Sequence, residues 1–280
     1  MRYFQTHVFG GFLCLLSISF VQSSFAQLDV VNGLTVEEYV NDVFLGDGVS
    51  AYNISYTGGM MQLGQMVNGD DSEYAFDEAL VMSTANARGI SCSSATCTDC
   101  LGDANSDPDL LEIANSVPAL IGQDFSVESI HDVSILEFDF IVTGDSIGFD
   151  YIFGSDEYEA WINTPYNDVF GFFLSGPGIE GPFASPNGFP GGAINIAGIP
   201  NSDPNLPITV SSVNSAVNSE YYVSNLPYQG ICINGFTEVF HAGHPVQCGE
   251  TYHIKLAIAD GTDTGLESVV MLEQGSFVSN

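Results

Sequence analysis

Basic residues are nearly absent. Lys and Arg together number 3 against 35 Asp and Glu, a formal charge of −32. So few cations cannot neutralise a run of phosphates, which excludes a nucleic-acid surface. They cannot hold an anionic membrane surface either. No Gly-x-Ser-x-Gly, His-Glu-x-x-His, Walker or dinucleotide pattern occurs, so no activated nucleophile or nucleotide site is written in the chain. Tryptophan occurs once and cysteine six times. Disorder is not implied by the charge, because 45% of the residues are hydrophobic and 12% aromatic. With 30 Gly and 12 Pro, the composition is globular and turn-rich.

The N-terminus reads as a signal peptide over residues 1–26. Arg2 supplies a positive n-region, an apolar stretch runs from Val8 to Val21, and Ser24-Phe25-Ala26 places small residues before cleavage at Gln27. The apolar stretch is short for a span, and no later segment resembles a transmembrane helix. Removing the segment also removes Arg2 and leaves Arg88 and Lys255 as the only bases against all 35 acids. Most of these acids must face solvent, salt or a hard cation.

Five cysteines remain after cleavage: Cys92, Cys97, Cys100, Cys232 and Cys248. An exported chain favours disulfides. Cys232 and Cys248 flank a strand-like run and are expected to pair, a closure worth about 3 kcal/mol in the chain-entropy model. The 92–100 cluster has room for one more bridge and lacks a fourth ligand for zinc.

One segment has a helical period. Thr35 and Glu38 form a capping box, and Val36, Tyr39, Val40, Val43 and Phe44 share a face before Gly46-Asp47-Gly48 stops it. Beyond residue 130 the period is two. Strands are expected at Leu136–Val142, Ile147–Phe153, Val169–Leu174, Ile208–Val213, Phe236–His241, Thr251–Ala259 and Ser268–Leu272, with Gly- and Pro-rich turns between most of them. Residues 89–109 read as a loop excursion. The pattern predicts a mainly β chain, a β-sandwich or jelly roll with one short N-terminal helix, as a single domain over residues 27–280.

Several blocks together carry a family resemblance. Phe149-Asp-Tyr-Ile-Phe-Gly-Ser-Asp-Glu-Tyr158 is followed by Asn167-Asp-Val-Phe-Gly-Phe-Phe-Leu-Ser-Gly-Pro-Gly178. Asn195-Ile-Ala-Gly-Ile-Pro200, Asn214 with Tyr221-Tyr222, and Cys248 through Asp260 come next in order. Leu136-Glu-Phe-Asp-Phe140, the opening helix and Asn53-Ile-Ser-Tyr-Thr-Gly58 also fit. The chain resembles the choice-of-anchor L domain family over roughly residues 34–277. That resemblance implies a secreted bacterial surface protein, in a family where many members look like type IX secretion products. The chain departs from the family at Asp156, where Glu is usual. No anchoring or sorting tail follows Asn280, which reads as a fragment or a short member exported without an anchor.

Three acidic groupings could bind a cation. Asp156-Glu157 and Asn167-Asp168 bracket one connection, and Asp260 with Asp263 closes the longest strand pattern. All are oxygen ligands of the kind Ca²⁺ takes, and all could equally satisfy turn amides. Asp103-x-Asn105-x-Asp107-x-Asp109 begins like an EF-hand loop, but Pro108 and Ala114 stand where Gly and Glu are required. His241 and His244 lack a third ligand nearby. Tyr158, Trp161 and Tyr166 could form an aromatic platform for a sugar ring or could be core. We expect an extracellular, non-catalytic module acting in adhesion or ligand binding, with a surface glycan or protein as partner and Ca²⁺ ordering the acidic loops. The rivals are a secreted hydrolase of polysaccharide and a structural spacer. Carboxylate pairs for glycoside hydrolysis are too common among 35 acids to decide the matter.

Overall fold

The computed structural model describes residues 28–69, 76–91, 106–228 and 230–280. The expected signal segment, Cys92, Cys97, Cys100, Asp103 and Asn105 lie outside them. The strands in chain order are β1 (Asp29–Val31), β2 (Val49–Thr57), β3 (Leu63–Val67), β4 (Ala79–Ser83), β5 (Ile130–Val142), β6 (Ser146–Ser155), β7 (Val169–Ser175), β8 (Ile194–Asn195), β9 (Tyr222–Ser224), β10 (Gly235–Thr237), β11 (Phe240–Pro245), β12 (Thr251–Gly261), β13 (Ser268–Glu273) and β14 (Val278–Ser279). They form two antiparallel sheets. The larger runs β1-β3-β4-β13-β6-β10-β9, with β11 and β14 also on β6; the smaller runs β2-β5-β12-β7-β8. The fold is mainly β, as the period-two runs imply.

Alternation decides which face is buried. Along β12, Tyr252, Ile254, Leu256 and Ile258 enter the core between the sheets, while Ala257 and Ala259 belong to a second cluster on the outer side. Aromatic rings fill the inter-sheet space. Phe149 meets Phe44, Phe172 and Phe277 at centroid distances of 5.1–5.3 Å, and Tyr151 meets Phe172 edge-on at 4.8 Å. Such pairs add to what burial of their area contributes. The opening helix is real but brief. Val36–Glu38 is α-helical behind the Thr35–Glu38 capping box, then Tyr39–Phe44 widens into a π-type turn whose buried side chains seat on the core.

The structure corrects three expectations. First, a second helix, Pro108–Leu120, follows the excursion, so the short N-terminal helix is not the only one. Asp107 is its N-cap, accepting from the Leu110 N–H at 2.9 Å, and Pro108 stands in its first turn. Leu110, Ile113 and Ala114 pack on the outer face of the smaller sheet against Val169, Phe173, Ala257 and Ala259. Lys255 fastens its first turn, with Nζ 3.0 Å from Asp107 Oδ2 and 2.5 Å from Asp109 Oδ2. Asp107 and Asp109, from the run that resembles an EF-hand start, therefore serve a helix terminus and a buried lysine.

Second, Ile208–Val213 is not a strand. Hydroxyls take over its backbone bonds: Thr209 N–H donates to Ser212 Oγ, and Ser211 N–H to Thr209 Oγ1. Short polar side chains compete with the ladder in this way. Only an isolated bridge between Val169 and Thr209 remains.

Third, Cys232 and Cys248 are not bonded to each other. Cys248 is a free, exposed thiol whose Sγ donates to Thr143 O at 3.1 Å. Cys232 is itself disulfide-bonded, and not to Cys248. The run between the two cysteines is not a hairpin. It holds β10 and β11, which pair with β6 and not with each other, while β12 beyond Cys248 pairs with β5 and β7 in the other sheet. Cys232 instead lies beside Ile90, to whose carbonyl its N–H donates.

Candidate site at the acidic end of the sandwich

Strand register brings four chain segments to one end of the molecule. β6 leaves the larger sheet at Ser155, whose partner is Ser268 at the start of β13. β12 ends at Asp260 and Gly261, just past the pairing of Ala259 with Val169 at the start of β7. The β6–β7 connection, residues 156–168, and the β12–β13 connection, residues 262–267, thus lie over the same end of the core.

Asp168 ties the two sheets together there. It is 1% exposed. Its Oδ1 accepts from the Gly261 N–H at 3.0 Å, and its Oδ2 from the Ser268 hydroxyl at 2.6 Å. Ser268 in turn exchanges backbone and hydroxyl bonds with Thr84 at the end of β4. Gly261 is required at its position, because a Cβ would fall 2.8 Å from the Asn167 carbonyl oxygen.

Around Asp168 stand buried oxygens without partners. Glu157 and Asp260 are each 2% exposed, yet Glu157 Oε2 and Asp260 Oδ1 make no hydrogen bond. Asn167 is fully buried, and neither its amide oxygen nor its nitrogen is bonded. Orphaned polar atoms of this kind are rare in folded proteins and costly. Burial pushes the Glu157 carboxyl up to about 9, with help from the charges of Asp168, Asp263 and Asp156. Burial likewise carries Asp168 to about 7, against the bonds from Ser268 and Gly261 that favour its charged form. Asp260 is held well above the usual carboxylate range by burial and by Asp168, Asp132 and Glu157. No cation is among the charges acting on these three acids.

The rim is looser. Asp156 is partly buried, accepts from the Asn234 N–H at 3.0 Å, and is raised to about 6 by burial. Asp263 is exposed, and its Oδ1 accepts from the Gly265 N–H. Asn163, Thr262 and Leu266 hold positive φ in these connections; for Thr and Leu this is a rare conformation. Among the described residues no three carboxylate, imidazole or thiol groups are already gathered as a metal-binding set. Glu157, Asn167, Asp168 and Asp260 are all buried at this end of the core, with Asp156 and Asp263 less buried beside them. Thr84, Asp132, Ser268 and Glu267 share that place without any mark in the linear pattern.

The family model for the choice-of-anchor L domain matches residues 27–278. The chain belongs to the choice-of-anchor L domain family. No curated protein and no solved structure matches it. Membership makes this choice-of-anchor L domain a surface-associated module. Among the described residues no helix is long and apolar enough to cross a membrane.

The aromatic trio above the acids separates into two parts. Tyr158 is 1% exposed and packs against Phe153 and Tyr222, so it is core and not platform. Trp161 is 41% exposed and meets Tyr166 edge-on at 5.2 Å. Its loop is tied down by Trp161 N–H to Glu157 O and by Asn163 N–H to Ser211 Oγ. A cavity of about 730 Å³ opens at the other end of the smaller sheet, lined by the 176–180 and 188–191 turns with Glu250 and Thr251. It holds none of the residues expected to act.

Proposed function

We propose that this domain is a non-catalytic binding module of a cell-surface protein, and that Trp161 and Tyr166 form its contact with a glycan. The supporting observation is the exposure of the chain's single tryptophan at the crest of an anchored loop, with Tyr166 set edge-on beside it. A flat indole offers a sugar ring an apolar face at little entropic cost, since the loop below it is already held. Burial keeps the carboxylates of the acidic end from acting as a hydrolytic pair. Glu157 and Asp168 are 2% and 1% exposed, whereas a glycosidase pair must reach the scissile bond.

The test is a glycan array probed with the exported protein and with Trp161→Ala. Binding of a polysaccharide that falls about tenfold or more in the variant is expected, as for truncation of an aromatic hot spot. An unaffected variant, or turnover of the polysaccharide lost in Asp168→Asn, would overturn the reading.

A further inference from the structure

Three oxygen-bearing side chains at the acidic end are buried, and each carries an oxygen without a partner. Glu157 Oε2, Asp260 Oδ1 and the Asn167 amide oxygen all lack a hydrogen bond. Asp260 feels the charge of Glu157, and both feel Asp168. Asn167 and Asp168 are consecutive, and the Asn167 backbone lies against Gly261, next to Asp260. A fold that needed only turn chemistry here would satisfy these atoms, as it does for Asn214, whose amide makes four bonds to Val210, Ser211, Ala216 and Val217. Water alone would satisfy the oxygens but would leave the mutual repulsion in place. A cation answers both, and protonation, which would lift the repulsion, leaves bare acceptor oxygens behind.

We propose that the acidic end is a Ca²⁺ site in which Glu157, Asp260 and Asn167 supply oxygen ligands and Asp168 positions them. The donor set is carboxylate and amide oxygen, without sulfur or imidazole, which suits a hard cation. Calcium is favoured over magnesium because it accepts six to eight oxygens in irregular geometry, whereas magnesium demands a near-ideal octahedron and keeps its waters. Asp168 is a positioning residue: both its oxygens are already occupied by Gly261 and Ser268, and it joins the end of β12 to the start of β13. Directly above the site runs the loop that carries Trp161, so occupancy is coupled to the environment of the only indole.

The experiment uses the exported chain, with CaCl₂ and MgCl₂ compared against NaCl at matched ionic strength and against EDTA. Trp161 emission and the thermal midpoint are both followed. Calcium is expected to raise the midpoint by roughly 5–10 °C at about a hundredfold excess over Kd, beyond the NaCl control. It should also shift Trp161 emission at the same concentration. Glu157→Gln and Asp260→Asn should each weaken that response about tenfold or more. In EDTA the same variants should melt no lower than wild type, because each removes a buried repulsion; a purely structural carboxylate would show a fall. Glu180→Gln, at an exposed acid far from the site, should respond like wild type. Should Asp260→Asn fail to fold, calorimetric titration of wild type with CaCl₂ still decides, with saturable binding expected. Equal midpoints in calcium and matched NaCl, or equal responses from Glu157→Gln and Glu180→Gln, would overturn the proposal. Calcium binding without any glycan binding would sustain this site and defeat the aromatic contact above it; the reverse result would do the opposite.

Discussion

At the scale of single residues, the informative fact is that carboxylates are carried into the core without a cation beside them. Glu157, Asp168, Asp260 and Glu267 are all raised, first by burial and then by neighbouring carboxylates, Asp263 beside Asp168 and Asp156 beside Glu267; Glu267 lies at about 7. Unfolded, such groups titrate near about 4. Their folded values are higher, so between the two the folded chain binds more protons. The stability they contribute is present below about 4 and is lost as pH rises through about 7 to 9. In EDTA the thermal midpoint should therefore fall as pH is taken from 5 to 9. Glu157→Gln should flatten that slope, which separates this site from the general repulsion of the surface. A midpoint that rises with pH, or a slope unchanged in Glu157→Gln, would contradict the assignment. The acids themselves could be singled out from strand-end positions in the linear pattern. Thr84 and Ser268, which complete the environment, could not, because a lone hydroxyl at a strand end carries no distinguishing neighbour.

At the scale of elements, the β12 alternation was legible because period two leaves little choice once Tyr252, Ile254, Leu256 and Ile258 are apolar. The helix at Pro108–Leu120 was equally readable from Asp107, Pro108 and the spacing of Leu110, Ile113, Ala114 and Val117. The alternating acids at its start also resemble a metal loop, which masks that signal. Segment 208–213 misled for the opposite reason: its apolar residues alternate with Thr and Ser, whose hydroxyls capture the backbone. The helix shows what Lys255 does. Its ammonium lies 4.3 Å from the Phe173 ring centroid and within hydrogen-bond reach of Asp107 and Asp109, all with side chains about one-tenth exposed. Removing one partner of a buried ionic group costs about 3–5 kcal/mol. Lys255→Ala should lose stability of that order in urea unfolding, with the circular dichroism of the helix weakened first. Lys255→Met combined with Asp107→Asn and Asp109→Asn should recover much of it, since no carboxylate is then left alone. A loss below about 1 kcal/mol in Lys255→Ala, the range of an exposed pair, would show the triad to be solvated.

At the scale of the whole molecule, composition and topology pull in different directions. Two antiparallel sheets close on an aromatic core that strongly favours a compact state, while 35 acids against 3 bases oppose it. The disulfide expectation failed at this scale, because sheet assignment is a long-range property that cysteine spacing does not contain. Charge, by contrast, is a global property that composition states fully, and its consequence can be measured. Screening shortens the Debye length from about 10 Å at 0.1 M salt to about 3 Å at 1 M, so repulsion among surface acids should fade over that range. The thermal midpoint in EDTA should rise with NaCl and level off as screening saturates. Tetramethylammonium chloride should match NaCl at equal ionic strength, because screening depends on charge and not on fit to an oxygen cage. Calcium should act at far lower concentration and only while Glu157 and Asp260 are intact. A sodium effect much larger than that of tetramethylammonium would mean that sodium occupies discrete oxygen sites, and a midpoint indifferent to both salts would mean that the surface acids are too widely spaced to matter.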